Sequence, residues 1–282
     1  MVGERVAPEP PAARARIERA LGSSAQVLAD VGDVAILGAR SVVSALRAPR
    51  SYGAELVHQF LFALRVCWLP LLVSTFCFSY ASLGVLGGNI GKLLGSPERI
   101  GGFFGLFSTR EIAPMLSAVV VAGAAGTAMC GDLGARKIRE ELDALQVLGV
   151  DPVKHLVVPR FLALMFITPL LSAYGTFFGM FGGVAASRLV GVPLHQFLYT
   201  LANSAPGYSD LWASVLKTAC FGAIIAVVCC YKGMTASAGP EGVGRAVNQA
   251  VVMALLAVFA FNYVFTQVFL ATHPEASVLK VG

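Results

Sequence analysis

Two groups of residues could do chemistry in this chain, and both are charged. Arg110 and Glu111 stand together just before Ile112–Gly131, a run of small and apolar residues that carries no charge. Directly after that run, Asp132 to Asp143 mixes both signs, with Arg136, Lys137, Arg139, Glu140 and Glu141 between them. A charged pair at the entrance of an apolar helix can pause a polar headgroup or anchor the helix at an interface, and the residues leave both readings open. A charged helix over 132–148 bearing the stripe Ile138, Leu142 and Leu145 can seat in a partner's groove, its charges setting register, or lie solvated as a loop helix. Gly149 stops that helix, and Asp151-Pro152 follow.

Other chemistries find no residues to carry them. The phosphate-cradling GxxxxGK(S/T) pattern does not occur. The six cysteines (Cys67, Cys77, Cys130, Cys220, Cys229, Cys230) include no CxxC and lie in or beside apolar stretches, as small packing residues do. His58, His155, His195 and His273 are scattered without metal-ligand spacing, and no Ser/His/Asp constellation can be assembled. No catalytic residue, metal site or nucleic-acid interface is expected.

The elements that must hold the two charged groups are membrane helices. The 282 residues are 56% hydrophobic and 13% charged, with a mean hydropathy of +0.74, against roughly 25% charged in soluble domains. About 20 apolar residues cross about 30 Å of hydrocarbon. Charge is absent between Arg65 and Lys92, from Ile112 to Gly131, from Phe161 to Ser187 and from Ala246 to Leu270. Leu211–Tyr231 is interrupted only by Lys217, expected to snorkel to the interface. The pattern predicts five spans, near 66–90, 110–131, 158–187, 211–232 and 246–270.

Ahead of them, 1–25 has Pro8, Pro10, Pro11 and several Arg but no apolar core, so a short disordered arm is expected rather than a cleaved signal peptide. In 26–47, Val27, Val31, Val34, Gly38, Val42 and Ala45 share one helical face. Asp30, Asp33, Arg40, Ser44 and Arg47 share the other, with Leu37 the exception. That period suits an interfacial amphipathic helix. Fifteen Lys/Arg lie on the side of the N-terminus and the 132–160 region, and six on the other. The asymmetry puts the N-terminus in the cytoplasm and, with five spans, the C-terminus outside.

The spans carry small residues four apart, Ala118, Ala122 and Gly126 in the second and Gly175, Gly179 and Gly183 in the third, with Gly123 alongside. Such spacing lets backbones approach closely. Apart from Arg110-Glu111, the spans show almost no buried ionisable group that could carry a coupling proton or sodium ion, so energy is expected from elsewhere.

Taken in order, several stretches resemble the MlaE/YrbE permeases. They are Arg110-Glu111-Ile112-Ala113-Pro114, the small-residue run Ala122 to Thr127, Glu140 through Pro152, Pro159-Arg160-Phe161, and Gly242-Val243-Gly244-Arg245-Ala246 with Ala250-Val251-Val252. The resemblance runs over roughly 26–270, and Cys130 to Lys137 looks most like the actinobacterial, Mce-associated branch. It implies an all-α integral membrane protein, with an interfacial helix, five spans and a coupling helix between spans two and three. The implied boundaries are a cytoplasmic arm at 1–25, the interfacial helix and connection at 26–60, the permease domain at 61–272 and an outer tail at 273–282.

The function so implied is the permease subunit of an ABC-type lipid transporter in the plasma membrane, with tilt towards import. It would bind no cofactor itself, its ATP being used by a dimer of cytoplasmic ATPases. A second, unequal YrbE-type permease chain, Mce-domain proteins and membrane lipids complete the implied partners. Arg110 and Glu111 would mark the mouth of the lipid cavity, and Leu72, Phe76 and Tyr80 would line it. Arg136, Arg139, Glu140, Glu141 and Asp143 would couple to the ATPase. One departure matters: the family commonly has Gly-Arg-x-Gly in span two and Glu before Leu-Gly, where this chain has Gly123-Ala124-Ala125-Gly126 and Asp132. A membrane scaffold that recruits a cytoplasmic partner, or an integral lipid-modifying enzyme, are the other classes; the first leaves the glycine-rich spans unexplained and the second lacks ligands and nucleophiles.

Overall fold

Backbone amides in hydrocarbon have no water to bond, so long charge-free segments must satisfy them internally as helices. The computed structural model describes residues 29–45, 53–203 and 207–273, and among these it contains helices and no strands. We number the helices α1 (29–45), α2 (Gly53–Leu93), α3 (Ile100–Ile138), α4 (Glu141–Val147), α5 (Val153–Val190), α6 (Leu194–Asn203), α7 (Tyr208–Met234) and α8 (Pro240–Thr272). Five of them, α2, α3, α5, α7 and α8, are long and apolar enough to cross a membrane, and each extends beyond the charge-free core that marks it in the sequence. The arm at 1–25, Val27, Arg47 and nearly all of the tail at 273–282 lie outside the described residues.

α5 is the axis of the bundle, and its glycines explain why. A Cβ added at Gly175 would stand 3.0 Å from Thr75, at Gly179 2.8 Å from Ser79 and at Gly183 2.6 Å from Phe104. At Gly182 it would meet the Phe76 carbonyl at 2.5 Å. Gly126 of α3 similarly sits against Cys229 of α7. Gly123 does not pack: no atom lies within 4 Å of its missing Cβ, because it is on the exposed side of α3. The core of Leu71, Ala118, Ala122, Leu164, Phe221 and Ile225 fills the space these contacts define. α8 contributes a narrow stripe of Ala246, Ala250, Ala254 and Val258, leaving Leu256, Phe259, Val264 and Val268 exposed.

The charged region after span two departs from one continuous helix. Residues 127–138 prolong α3, and the chain then breaks at Glu140, which has φ 58°, before the short α4. Gly149 (φ 74°) does end α4: its amide donates to Gln146 O at 3.0 Å and that of Val150 to Leu145 O at 2.9 Å, the paired bonds of a Schellman cap. Of the stripe Ile138, Leu142 and Leu145, which could have seated in a partner's groove, Ile138 is exposed and the other two face inward. Leu142 is buried with Leu133, Leu156, Val157 and Cys230, and Leu145 packs beside it. Val147 and Leu148 are the most outward apolar residues of this region, 88% and 76% exposed.

α1 also turns differently from its sequence stripe. Leu37, the exception to that stripe, is buried with Ser41, while Val31 and Val42 are exposed together with Ile36 and Val43. The reason is electrostatic. Asp30 pairs with Lys232 at 2.5 Å, and the Tyr231 hydroxyl reaches Asp30 at 3.2 Å and Asp33 at 3.1 Å, so the acidic face of α1 is held against the end of α7.

Two outcomes are expected from this packing. Gly222→Val drives a Cβ towards the Leu164 carbonyl, 2.2 Å away, and should destabilise by about 1–3 kcal/mol or more as an overpacked core does. Gly123→Ala should be neutral or slightly stabilising, and thermal unfolding in detergent checks both. The hydrogen bond from Lys232 holds the Asp30 carboxyl below its ordinary 3.8. Docking of α1 should therefore be independent of pH above that value and weaken only as pH falls through the lowered one. Hydrogen exchange over 29–45 measures this, and Asp30→Asn should raise exchange at neutral pH.

Candidate functional site

Pro114 prepares the site by what it lacks. Its ring nitrogen has no hydrogen to give the Arg110 carbonyl four residues earlier. The preceding turn, Ser108–Ile112, widens to a π form in which Ala113 N–H donates to Ser108 O rather than to Thr109 O. Two backbone carbonyls thus lose their usual helical donors, and α7 supplies replacements. Ser214 Oγ donates to Thr109 O at 3.1 Å, and Lys217 Nζ donates to Arg110 O at 3.0 Å.

Four charges and two neutral polar groups converge there from three spans. Lys217 Nζ lies 3.0 Å from Glu111 Oε1. That oxygen also accepts from Thr266 at 3.1 Å, and Glu111 Oε2 accepts from Asn262 Nδ2 at 3.1 Å. Arg110 Nη2 pairs with Asp210 Oδ1 at 3.0 Å. Asp210 Oδ2 accepts from the same nitrogen and from Gly207 N–H, both at 3.1 Å, which also caps the start of α7. Asp210 and Lys217 are two turns apart, so they share a face of α7; Asn262 and Thr266, one turn apart, share a face of α8. The four charges sum to zero, as buried charge requires.

The expectation that Lys217 snorkels is corrected: its side chain is 3% exposed and satisfied inside the bundle. The expectation of almost no ionisable group inside the spans falls with it. Arg110 and Glu111 are adjacent in sequence but pair with different residues of α7. Sequence reasoning missed Asp210, Asn262 and Thr266. The usable signal was the seven-residue spacing of Asp210 and Lys217, together with the proline four residues after Arg110.

Beside the cluster is a cavity of about 320 Å³ with apolar walls. Phe103, Leu106 and Phe107 of α3 and Phe265, Phe269 and Leu270 of α8 form the walls, while Arg110, Glu111, Asp210 and Lys217 form its polar border. Leu72, Phe76 and Tyr80 do not border it. They belong to α2, whose backbone at Phe76 and Tyr80 packs on Gly182 of α5. An amphiphile fits this arrangement chemically, with its chain on the aromatic wall and its head at the cluster.

At the other end of α3, four of the residues expected to couple to a partner, Arg136, Arg139, Glu141 and Asp143, form ion pairs within the chain. Arg160, 1% exposed, pairs with Asp132 at 2.6 Å and donates to Leu156 O at 2.6 Å. Arg136 joins Asp132 at 3.2 Å to Glu141 at 3.7 Å, and Arg139 pairs with Glu141 at 2.7 Å. Asp143 reaches Lys137 at 3.7 Å. Glu140 and Asp143 keep exposed side chains on the outer surface, alongside Val147 and Leu148.

A family model described as Permease MlaE matches residues 56–268. A probable ABC transporter permease of Synechocystis sp. is 41% identical over 173 residues, which is 60% of this chain and 64% of that protein. A probable ABC transporter permease of Rickettsia felis is 31% identical over 243 residues, 85% of this chain and 92% of its own. The Arabidopsis thaliana protein TRIGALACTOSYLDIACYLGLYCEROL 1, chloroplastic, is 34% identical over 177 residues, 62% of this chain and 50% of that one. The match thus spans less than two thirds of the cyanobacterial and plant proteins' lengths.

Removing one partner of the Lys217–Glu111 pair strands the other. Lys217→Met should destabilise by about 2–3 kcal/mol, below the roughly 3–5 kcal/mol of a fully enclosed pair because Glu111 is partly exposed. Adding Glu111→Gln should recover part of that loss. A double-mutant cycle on unfolding temperatures reads the coupling.

Proposed function

The chain belongs to the MlaE permease family, and from that premise we propose that it is the membrane-spanning subunit of an ABC-type lipid transporter. ATP is hydrolysed by a separate pair of cytoplasmic subunits. The observation that carries the lipid reading is the aromatic-walled cavity bordered by Arg110, Glu111, Asp210 and Lys217. The walls take acyl chains by area, and the net-neutral cluster offers both signs to a polar head. The name of the Arabidopsis relative is that of a galactosylated diacylglycerol, which is consistent with this cargo class.

Orientation follows from charge. Among the described residues, nine Lys/Arg lie towards the end that carries α1 and α4 and five towards the other, which makes the first end cytoplasmic in the plasma membrane and puts Arg110 and Glu111 near the outer end. The ATPase docks on the α4 side, where Val147 and Leu148 supply apolar surface and Glu140 and Asp143 charge. Arg136, Arg139 and Glu141 hold that surface in place from behind. Five spans do not divide into two equal halves, so a path between like halves takes a second permease chain. The exposed faces of α2 and α8 are suited to it. An unequal YrbE-type partner and Mce-domain proteins on the outer side complete the assembly in this reading, with import as the direction.

The test is reconstitution of the chain with its native partners in liposomes. Val147→Glu with Leu148→Glu should abolish co-purification of the ATPase while the protein keeps its unfolding temperature. Ala213→Phe, which fills the cavity border, should stop ATP-dependent lipid movement with the ATPase still bound. Normal transport by the Phe variant would refute the cavity, and retention of the ATPase by the double Glu variant would refute the docking surface.

A further inference from the structure

A second cavity, of about 580 Å³, lies on the opposite side of α3 from the charged cluster, bordered by α3, α5, α6 and α7. It borders Phe104 and Gly105 of α3, Pro169 and Ala173 of α5, Leu201 of α6 and Val215 of α7. Ser214 is the one residue that borders both cavities. We infer that this second cavity is a binding site for an uncharged amphiphile that carries its own hydrogen-bond donor, such as a lipid alcohol or a monoacylglycerol.

The wall is built rather than left over. α6 is seated on α3 by two glycines: a Cβ at Gly101 would stand 2.1 Å from the Phe197 carbonyl, and one at Gly105 2.7 Å from the Leu201 side chain. Phe104 meets Phe197 edge-on, with centroids 5.8 Å apart. Leu198, Leu201 and Ala202 are thereby presented to the cavity, which α6 roofs.

The polar groups explain the ligand class. Among the described residues, none that borders this cavity is ionisable. Four of its hydroxyls have committed their single hydrogen to backbone carbonyls. Thr109 donates to Gly105 O at 2.9 Å, Thr176 to Ser172 O at 3.0 Å, Ser214 to Thr109 O at 3.1 Å and Thr218 to Ser214 O at 2.7 Å. A hydroxyl so committed still offers two lone pairs. Ser108 and Ser172 add two further hydroxyls, so the cavity presents chiefly acceptors, and a head that brings its own hydrogen matches most of them. A carboxylate or phosphate would shed its water to face no cation and at most the Ser108 and Ser172 hydroxyls as donors, which disfavours it. A head that can donate finds partners, and its chain finds Leu, Met and Val side chains.

The experiment uses the full-length protein in nanodiscs and two photoreactive probes with the same diazirine-bearing acyl chain. One is the monoacylglycerol and the other the free fatty acid, at alkaline pH where it is ionised; cross-linked peptides are located by mass spectrometry. The monoacylglycerol should label 169–180, 198–202 and 211–218 at least about tenfold more than the acid, the factor one unpaired buried group confers. Ala173→Trp, which occupies the cavity from its border, should lose that labelling. Thr176→Val with Ser214→Ala, which preserves shape and removes two acceptors, should collapse the preference while unfolding temperature stays within the normal range. Equal labelling by both probes, labelling unchanged by Ala173→Trp, or a preference that survives loss of the hydroxyls would each overturn the inference. Glu111→Gln should leave the labelling as it is. Labelling that persists in a protein unable to move lipid would refute the transport reading alone.

Discussion

A proline that cannot donate a hydrogen bond organises one end of this bundle. Because Pro114 has no amide hydrogen, and because Ala113 donates to Ser108, the carbonyls of Thr109 and Arg110 must find donors outside their own helix. Ser214 and Lys217 of α7 provide them. Once Lys217 is drawn in, its charge must be balanced away from water, and Glu111 does so from the neighbouring position on α3. Glu111 in turn has acceptor capacity left over, which Asn262 and Thr266 of α8 fill. The relation of three spans at this end is thus set by one missing hydrogen and the sequence of pairings that compensates for it.

Elsewhere the bundle depends on the absence of side chains. α5 approaches α2 closely because Gly175, Gly179 and Gly182 leave room for Thr75, Ser79 and backbone. Lipid removes the hydrophobic incentive for helices to associate, so close packing of this kind supplies what burial supplies in water. The two cavities lie where that packing gives way to larger side chains, on either side of α3. Ser214 stands between them, its hydroxyl spent on Thr109 O. The charged cluster borders one cavity and uncharged hydroxyls border the other, so a single helix separates two different chemistries.

What could be read from the sequence was what depends on one helix at a time. Charge-free runs mark the five spans, Gly149 marks the end of α4, and the spacing of Gly175, Gly179 and Gly183 marks a packing face, because each is a property of local order along the chain. The partner of a charge depends on how two helices are rotated about each other, which no single periodicity specifies. Lys217 therefore read as an interfacial residue, and Asp210 drew no notice. The break at Glu140 escaped for a related reason. Residues 132–148 have continuous helical composition, but Leu142 gains a buried site beside Leu133 and Leu156 only if the chain turns back, and that gain outweighs the left-handed backbone at one exposed residue. Gly123 shows the converse, since its composition suggested packing and its rotation points it outward.

Under the proposed function, α3 is the element that joins the two ends of the machine. It carries Asp132 and Arg136 at the α4 end and Arg110 and Glu111 some 22 residues earlier, about 33 Å away along a helix. A load applied to α4 enters α3 through Arg136 and Glu141, while Arg160, buried and bonded to Asp132 and to Leu156 O, ties that point to α5. Between the ends, α3 widens at Val121–Gly126 and again at Ser108–Ile112. π turns of this kind interrupt the α-helical hydrogen-bond ladder and are frequent at functional sites. Displacement at α4 would then meet Val121–Gly126 first and Ser108–Ile112, which carries Arg110 and Glu111, second. The second turn is the one whose carbonyls are held by Ser214 and Lys217, so straightening it must disturb the Lys217 contacts. The same residues that satisfy charge within the bundle are thus placed where a mechanical input from α4 would arrive.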